Sequence, residues 1–294
     1  MNATTCCEIT SPPDPSCESS VFRVSAVTAA VQHIKRMKGG AQSHLMRCED
    51  DHFYVVKFRN NPQHERVLAN EFLATKLGEQ LGLPMPAAAI VYVQQRLIDN
   101  AAELTIMLGS QTLQCEPGLH FGSRYVMDPR RGQVLDYLPL EMITHQVRNL
   151  DRFAGILVLD KWTCNVDGRQ AAFSRKSQER KYSATFIDQG YCFNAEQWTF
   201  TDFSLRGVYP RNEVYAAVSG WNSFEPWLSR VENFDDSVIW SIAEQMPPAW
   251  YGHAWNDLED LIRRLIERKP LVRELIRMFR DSPRRPFPKW QDAS

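Results

Sequence analysis

The sequence lacks a charge excess of either sign and a long hydrophobic run. It contains 34 Lys and Arg against 35 Asp and Glu, which leaves a formal net charge of -1. A nucleic-acid-binding face needs concentrated positive charge, so nucleic acid is not expected as the main partner. Although 44% of the residues are hydrophobic, no stretch of about eighteen apolar residues occurs, so no membrane-spanning helix is predicted.

Cysteine motifs are missing as well. None of the seven cysteines forms a Cys-x-x-Cys pair or has histidines at zinc-finger spacing. Scattered thiols in odd number argue against a disulfide framework and indicate a reducing compartment. The first residues do not combine a basic region with an apolar run, as a signal peptide would. We therefore expect a cytoplasmic protein whose residues 1–20, rich in Ser, Thr and Pro, form a loose leader.

The apolar pattern predicts an α+β fold. Strand-like alternation dominates the first half, where residues 44–48 and 52–58 flank turn residues and predict a hairpin. A single helix is predicted over residues 65–81, because apolar residues recur there at helical spacing before Gly82 and Pro84. After about Pro139 the pattern becomes helical. The remaining predicted strands are 21–24, 87–93, 104–107 and 120–126. One or two helical turns are predicted within residues 26–37. The predicted later helices are 140–160, 236–246, 255–268 and 271–279.

This arrangement predicts a β-rich domain over residues 21–127 and a helical domain over residues 128–294. The 294 residues suffice for one large core or two modest ones. A ligand is expected in the cleft between such domains.

Residues suited to binding a nucleotide phosphate occur in the β-rich half. Lys57 ends a predicted strand, and Glu71 on the next helix could form the ion pair that fixes such a lysine. An edge lysine and an exposed helix carboxylate are the plain alternatives. A glycine pair upstream could pass over the phosphates, or could form a simple turn. The candidate ATP-binding residues are Gly39, Gly40, Gln42, Ser43, Lys57, Tyr125 and Val126.

Acidic residues suited to the chemistry follow in the second half. Asp160, Asn165 and Asp167 follow the apolar residues 153–159, so they are expected close to buried and in need of partners. The alternative is a structural network that pairs Asp160 with Lys161, or Asp167 with Arg169. Asp188 follows the apolar residues of a strand and suits a metal, although a strand-to-turn aspartate is the simpler interpretation. A lysine and separated acids are the set that phosphoryl transfer from a metal nucleotide requires.

Residues 162–170 also resemble the catalytic loop of the bacterial HipA-like kinase domain family, related to HipA-type serine/threonine kinases. Weaker matches at 70–86, 120–123 and 187–190 keep the family's order, so the resemblance covers roughly residues 21–195. It implies a bilobal protein-kinase-like fold with an ATP cleft. It also implies that Asp167 is the base that orients a hydroxyl, that Asp188 binds magnesium and that Lys57 anchors phosphate.

The chain departs from the family pattern at one position. The toxin kinases have a metal-binding asparagine five residues after the catalytic aspartate, where this chain has Ala172. Gln170 could replace it, because an amide oxygen is also a hard ligand. Alternatively, Asp160 and Asn165 reproduce the aspartate-to-asparagine spacing themselves, which makes Asp160 the secondary candidate for the base.

We therefore expect an ATP- and Mg²⁺-dependent kinase with Asp167, Lys57 and Glu71 as catalytic residues. Asp188, Gln170 and Asn165 are the candidate metal ligands. The expected acceptor is a Ser or Thr hydroxyl of a protein. A nucleotide-binding pseudokinase, a kinase of a small molecule or lipid head group, and an interaction module built on the tryptophan-rich second half are the alternatives.

Overall fold

The computed structural model describes residues 27–128 and 132–291. The predicted leader and the strand at 21–24 lie outside the described residues. The strands are β1 (Val27–Arg36), β2 (His44–Cys48), β3 (Phe53–Lys57), β4 (Ala88–Val93), β5 (Thr105–Leu108), β6 (Gln111–Gln114), β7 (Gly118–Arg124), β8 (Gly132–Leu135), β9 (Gln170–Lys176) and β10 (Ser183–Ile187). The helices are α1 (Val67–Gln80), α2 (Gln95–Asp99), α3 (Leu140–Gln146), α4 (Arg152–Trp162), α5 (Trp227–Glu232), α6 (Asp236–Glu244), α7 (Trp255–Glu267) and α8 (Val272–Arg280).

Five strands of the first half close into a barrel in the order β1-β2-β3-β7-β4. The predicted hairpin is confirmed, since β2 and β3 pair antiparallel. A parallel pairing of β1 with β4 closes the barrel. Inward-facing residues from successive strands, among them Met46, Val56 and Val91, fill its interior. Because no barrel strand is an edge strand, Lys57 at the end of β3 is not the edge lysine of the plain alternative.

The helical turn predicted within residues 26–37 is wrong, because residues 27–36 form β1. Irregularities in the pairing with β2 fall between Ala30 and Gln32 and between His33 and Lys35. Each irregularity shifts the alternation of inward and outward side chains. The apolar residues therefore lose the period of two and imitate a helical spacing.

The helix predicted over residues 65–81 is confirmed as α1, which is buried on nearly all sides. Its apolar residues join one large core with α4 and the later helices. Gly82 follows the helix with φ +71°, a conformation that glycine adopts without steric cost. The helix thereby places Glu71 between the barrel and the second half of the chain.

The single helix predicted over residues 140–160 is wrong, because the structure divides it into α3 and α4. Between them, Val147 bridges to Tyr182, and the backbone N-H of Arg148 donates to the carbonyl of Tyr182 at 2.9 Å. These backbone groups bond to a strand partner instead of continuing the helix. The prediction also missed β9, which pairs with both β8 and β10 in a three-stranded sheet.

The three later predicted helices are confirmed as α6, α7 and α8. The tryptophans of this half mostly fill the core, as Trp227 and Trp250 do, whereas Trp255 is partly exposed. No helix within the described residues has the length and apolar character needed to cross a bilayer.

Candidate functional site

Lys57 joins two acids that come from distant parts of the chain. Its ammonium at the end of β3 is bonded to the carboxylate of Glu71 on α1. It also donates to Oδ1 of Asp188, which follows β10 directly, at 2.7 Å. The side chains of Lys57 and Glu71 are buried, and that of Asp188 is 21% exposed. The ion pair expected between Lys57 and Glu71 and the expected approach of Lys57 to Asp188 are therefore present in the structure, whereas no hydrogen bond or ion pair among the described residues joins Lys57 to Asp167.

The charge of Lys57 stabilises the ionised form of each acid in this cluster, whereas the two acids oppose each other. Burial alone would lower the pKa of Lys57, but the charges of Glu71 and Asp188 outweigh burial and raise it. Burial alone would raise the pKa of Asp188, but the charge of Lys57 and its hydrogen bond lower it. Burial and the nearby charge of Asp188 raise the pKa of Glu71. Asp188 is therefore the acid best held in its ionised form.

The backbone around Asp188 is unusual and closely packed. Asp188 has φ +64°, in the left-handed region that few residues other than glycine adopt. Two residues later, a Cβ on Gly190 would lie 2.7 Å from Cγ2 of Val67 and 3.3 Å from Oε1 of Glu71. Only a glycine lets this loop approach α1 so closely. The left-handed turn aims the Asp188 carboxylate back toward Lys57.

Gln170 also reaches Asp188. In the β9–β10 hairpin, Gln170 is opposite Ile187, one residue before Asp188. The amide Nε2 of Gln170 donates to Oδ2 of Asp188 at 2.8 Å. A rotation of the exposed amide group would turn its oxygen toward the same place. These two of the three candidate metal ligands therefore lie side by side.

Asp160 and Asn165 form a buried pair, as their positions after an apolar run predicted. Nδ2 of Asn165 donates to Oδ1 of Asp160 at 2.9 Å. Oδ1 of Asn165 accepts from the backbone N-H of Asp167 at 3.1 Å. The predicted burial of Asp167 is wrong, because residues 167 and 168 are exposed at the tip of the loop. The carboxylate of Asp167 accepts only from the backbone N-H of Gly168, at 2.7 Å, among the bonds of the described residues.

Sequence reasoning missed the central role of Arg169. Its buried guanidinium is bonded to both carboxylate oxygens of Asp160. Nη1 donates to the carbonyl of Ile187 at 2.9 Å and lies 3.4 Å from that of Asp188. The alternative ion pairs, Asp160 with Lys161 and Asp167 with Arg169, are wrong, because Arg169 pairs with Asp160. A basic residue two positions after Asp167, in a loop with a buried acid, was the available signal.

Lys161 is a second buried cation beside this loop. Its ammonium donates to the carbonyls of Ser204 at 3.0 Å and Arg206 at 2.7 Å. Burial lowers the pKa of Lys161 to about 8, against the opposing charges of Asp160 and Asp202. Lys161 thereby ties the segment around residues 204–206 to the end of α4.

Replacing Lys161 by Met should change how stability depends on alkaline pH. An unfolded lysine has a pKa of 10.5, so between about pH 8 and that value the unfolded chain binds more protons than the folded one. The stability of the wild type relative to Lys161→Met should therefore rise with pH in this window, by up to about 1.4 kcal/mol per pH unit. Urea denaturation of both proteins across the window measures the difference, and a constant difference would contradict the assignment.

The glycine loop between β1 and β2 is placed differently from the acids. Gly39 has φ +115° and accepts from the backbone N-H of Gln42 at 3.2 Å. The Gln42 amide, expected as a phosphate donor, instead exchanges two hydrogen bonds of 2.7 Å with the backbone of Met107 on β5. Ser43 is buried, and its carbonyl accepts from the backbone N-H of Met37. Within the described residues, no hydrogen bond or ion pair joins this loop to Lys57.

The last two candidate ATP-binding residues continue the barrel edge. The backbone N-H of Tyr125 donates to the carbonyl of Phe53 at 2.7 Å, which prolongs the pairing of β3 with β7. Burial and the charge of Asp136 raise the pKa of Tyr125. Tyr125 and Val126 are half-buried where the chain leaves the barrel.

No group of three His, Cys, Asp or Glu side chains in the described part of the chain is arranged to hold a metal ion alone. Asp188 and Gln170 can supply one carboxylate and one amide oxygen. This is a donor set that suits Mg²⁺, which completes its shell with water and substrate phosphates.

Solved structures share this fold. Kinase CtkA of Helicobacter pylori is 11% identical with a TM-score of 0.54, over 87% of this chain and 99% of that one. Fam20 of hydra is 12% identical with a TM-score of 0.55, and the match covers 88% of each chain. The Golgi casein kinase is 14% identical with a TM-score of 0.51, and the match covers 87% of this chain and 73% of that one. These likenesses show a protein-kinase-like fold with mixed strands and helices.

Among curated proteins, no sequence matches this chain significantly. The sequence profile described as HipA-like kinase matches residues 30–269. That span includes most of β1, the Lys57 cluster, the Asp160–Gln170 loop and α7. The chain therefore belongs to the HipA-like kinase family.

Proposed function

We propose that this protein is an ATP-dependent phosphotransferase that acts on a Ser or Thr hydroxyl of a protein. The contact of Lys57 with both Glu71 and Asp188 is the observation that carries the proposal. In phosphoryl transfer the protein chiefly positions the groups and stabilises negative charge. A lysine clamped between a helix glutamate and a loop aspartate is suited to that task.

In this proposal the chain forms two lobes, residues 21–127 and 128–294, and the nucleotide binds between them. Lys57 would hold the phosphates of ATP, while Asp188 and Gln170 would hold Mg²⁺. The metal supplies neutralisation of the phosphate charge when bound. Gly39, Gly40 and Ser43 would approach the phosphates through the backbone, since the Gln42 amide is bonded to Met107. Tyr125 and Val126 would border the adenine ring of the nucleotide.

Asp167 is the better candidate for the base that orients the acceptor hydroxyl. Its carboxylate is exposed at the loop tip, where a substrate can reach it. Asp160 is 1% exposed, and both its oxygens are bonded to Arg169. A carboxylate held this way cannot approach an incoming hydroxyl. Asp160 and Asn165 would instead position the loop that carries Asp167, so Asn165 is the weakest of the candidate metal ligands.

A pseudokinase is the second candidate, and Ala172 favours it. Ala172 lies within β9, opposite Thr185, and is buried. It offers no ligand atom at the position of the usual asparagine. The contact of Gln170 with Asp188 supports the active alternative, because it places an amide beside the candidate metal ligand. The same catalytic residues would also suit a small-molecule acceptor, because they do not determine which hydroxyl is phosphorylated. The proposed location is the cytoplasm.

Comparison of Asp167→Ala with Asp160→Asn separates the two candidate bases. In assays with magnesium and labelled ATP, Asp167→Ala should reduce transfer at least about 100-fold, because positioned acid-base groups contribute about that much. Its melting temperature should stay close to the wild type, since the side chain is exposed. Asp160→Asn should lower the melting temperature, because Arg169 loses its buried counter-charge.

One outcome would contradict this division of roles, and another would contradict the proposed activity. Transfer by Asp167→Ala at the wild-type rate would remove Asp167 as the base. Wild-type protein that binds ATP with magnesium but phosphorylates neither itself nor a protein extract would favour the pseudokinase.

A further inference from the structure

Asn70 makes an unusual number of contacts for one side chain. It is completely buried on α1, next to Glu71. Its Nδ2 lies 2.9 Å from the carbonyl oxygen of Gly190, 3.0 Å from that of Cys192 and 2.9 Å from that of Ala195. Its Oδ1 accepts from the indole Nε1 of Trp198 at 2.7 Å. One amide thus contacts four polar groups of the segment 190–198, and its two N-H donors are shared among the three carbonyls.

That segment needs external support. Phe193, Asn194, Ala195 and Trp198 all have φ between +50° and +59°. This conformation is costly for a residue other than glycine, and it persists only where the surroundings enforce it. Inward-pointing carbonyls also need donors, because an unpaired buried carbonyl is costly. The Asn70 amide supplies those donors.

The same segment is anchored on its other side to the candidate catalytic loop. The backbone N-H of Phe193 donates to the carbonyl of Thr163 at 2.6 Å, and that of Asn194 to the carbonyl of Cys164 at 3.2 Å. The segment also begins two residues after Asp188. Asn70 is therefore connected through one short stretch of backbone to both the Asp188 turn and the loop that carries Asp167.

We propose that Asn70 is a positioning residue that fixes the Asp188 turn relative to α1. Glu71 holds Asp188 through Lys57, and the adjacent Asn70 holds the backbone that follows it. Two neighbouring residues of one helix thereby fix both the carboxylate and its supporting loop. Because this inference rests on the proposed function, Asn70 should govern how well the site binds Mg²⁺ together with ATP.

Asn70→Asp is the direct test, and Asn149→Asp is its matched control. Aspartate keeps the shape of asparagine but cannot donate to the three carbonyls. The Asn149 amide also holds a stretch of backbone, because it donates to the carbonyl of Ala184 and accepts from the N-H of Ala184, both at 2.9 Å. Ala184 lies at the opposite end of β10 from Asp188. Both substitutions remove amide donors from a backbone clamp, and only one clamp adjoins the proposed site.

The first readout is the Mg²⁺ concentration that gives half-maximal ATP binding by calorimetry. Partners that orient a metal ligand typically contribute about 10- to 100-fold in metal affinity. Asn70→Asp should raise the midpoint by about that factor, with binding largely restored at saturating Mg²⁺. Asn149→Asp should lower the melting temperature without moving the midpoint. A purely structural role for Asn70 would also leave the midpoint unmoved, and that result would overturn the proposal.

The second readout needs no nucleotide. In the ligand-free protein, the amides of Phe193 and Asn194 should exchange with deuterium about five to ten times faster in Asn70→Asp, and at the wild-type rate in Asn149→Asp. If wild-type protein binds no ATP, the proposed function fails and this readout alone decides the inference. Unchanged exchange at these amides would then overturn it.

A milder variant covers the case in which Asn70→Asp does not fold. Trp198→Phe removes the N-H that donates to Oδ1 of Asn70 together with part of the buried indole, and it keeps an aromatic ring beneath the Arg66 guanidinium, which lies 4.2 Å from the indole centroid. This variant should shift the Mg²⁺ midpoint in the same direction by a smaller factor. A folded Trp198→Phe protein with an unchanged midpoint would overturn the proposal.

Discussion

Asp188→Asn should abolish phosphate transfer while leaving the protein folded. The substitution preserves size but removes the negative charge that would hold Mg²⁺, and it weakens the ion pair with Lys57. Removing one preorganised electrostatic group at a reacting centre typically costs about 100- to 1,000-fold in rate. We expect a loss of at least that size in an assay with labelled ATP. The binding of ATP that requires Mg²⁺ should also be lost.

Asp51→Asn is a matched control for this variant. Asp51 also has a positive φ, +59°, and lies exposed in the turn between β2 and β3, where it pairs with Arg47. The same chemical change there should leave transfer and Mg²⁺ dependence unaltered. Transfer by Asp188→Asn within about tenfold of the wild type, a factor worth only about 1.4 kcal/mol, would remove Asp188 from the proposed metal site.

Lys57→Met should destabilise the fold and also prevent ATP binding. It leaves Glu71 buried without its cation and next to Asp188, a carboxylate of the same charge. Removing one partner of a buried ion pair costs about 3–5 kcal/mol. Urea denaturation near neutral pH should show a loss of this size, and calorimetry should detect no binding of ATP with magnesium.

A double variant separates the two effects of Lys57. Adding Glu71→Leu to Lys57→Met removes the more deeply buried of the two uncompensated carboxylates, so most of the lost stability should return, as it does when buried ion pairs are replaced by apolar residues. ATP binding should remain absent, because no cation faces the phosphates. Recovery of ATP binding in the stabilised double variant would show that Lys57 serves the fold alone.

The sequence could predict elements whose side chains keep one period. Helix α1 and the β2–β3 hairpin have uninterrupted patterns, and the structure confirms both. The pairing irregularities of β1 broke its pattern and led to the wrong helical prediction. The division between α3 and α4 depends on Val147 pairing with Tyr182, a residue more than thirty positions away. Such long-range pairing leaves no local signal.

The candidate site shows the same limit. Residue type and order predicted that Lys57 would meet Glu71 and Asp188, because those chemical groups belong to one reaction. Burial around Asp167 was misjudged, since its loop turns outward directly after an apolar helix. The partner of Asp160 could not be read from spacing, because Arg169 reaches it only once the loop has folded back.

The central claim is that Lys57, Asp188 and Gln170 together bind a metal nucleotide. A thermal-shift titration of the wild-type protein with ATP, with and without magnesium, tests it most directly, because a ligand that binds only the folded state must raise the melting temperature. We predict a rise that grows with ATP concentration and requires magnesium. A melting temperature unaffected by ATP at millimolar concentration in the presence of magnesium would contradict the account.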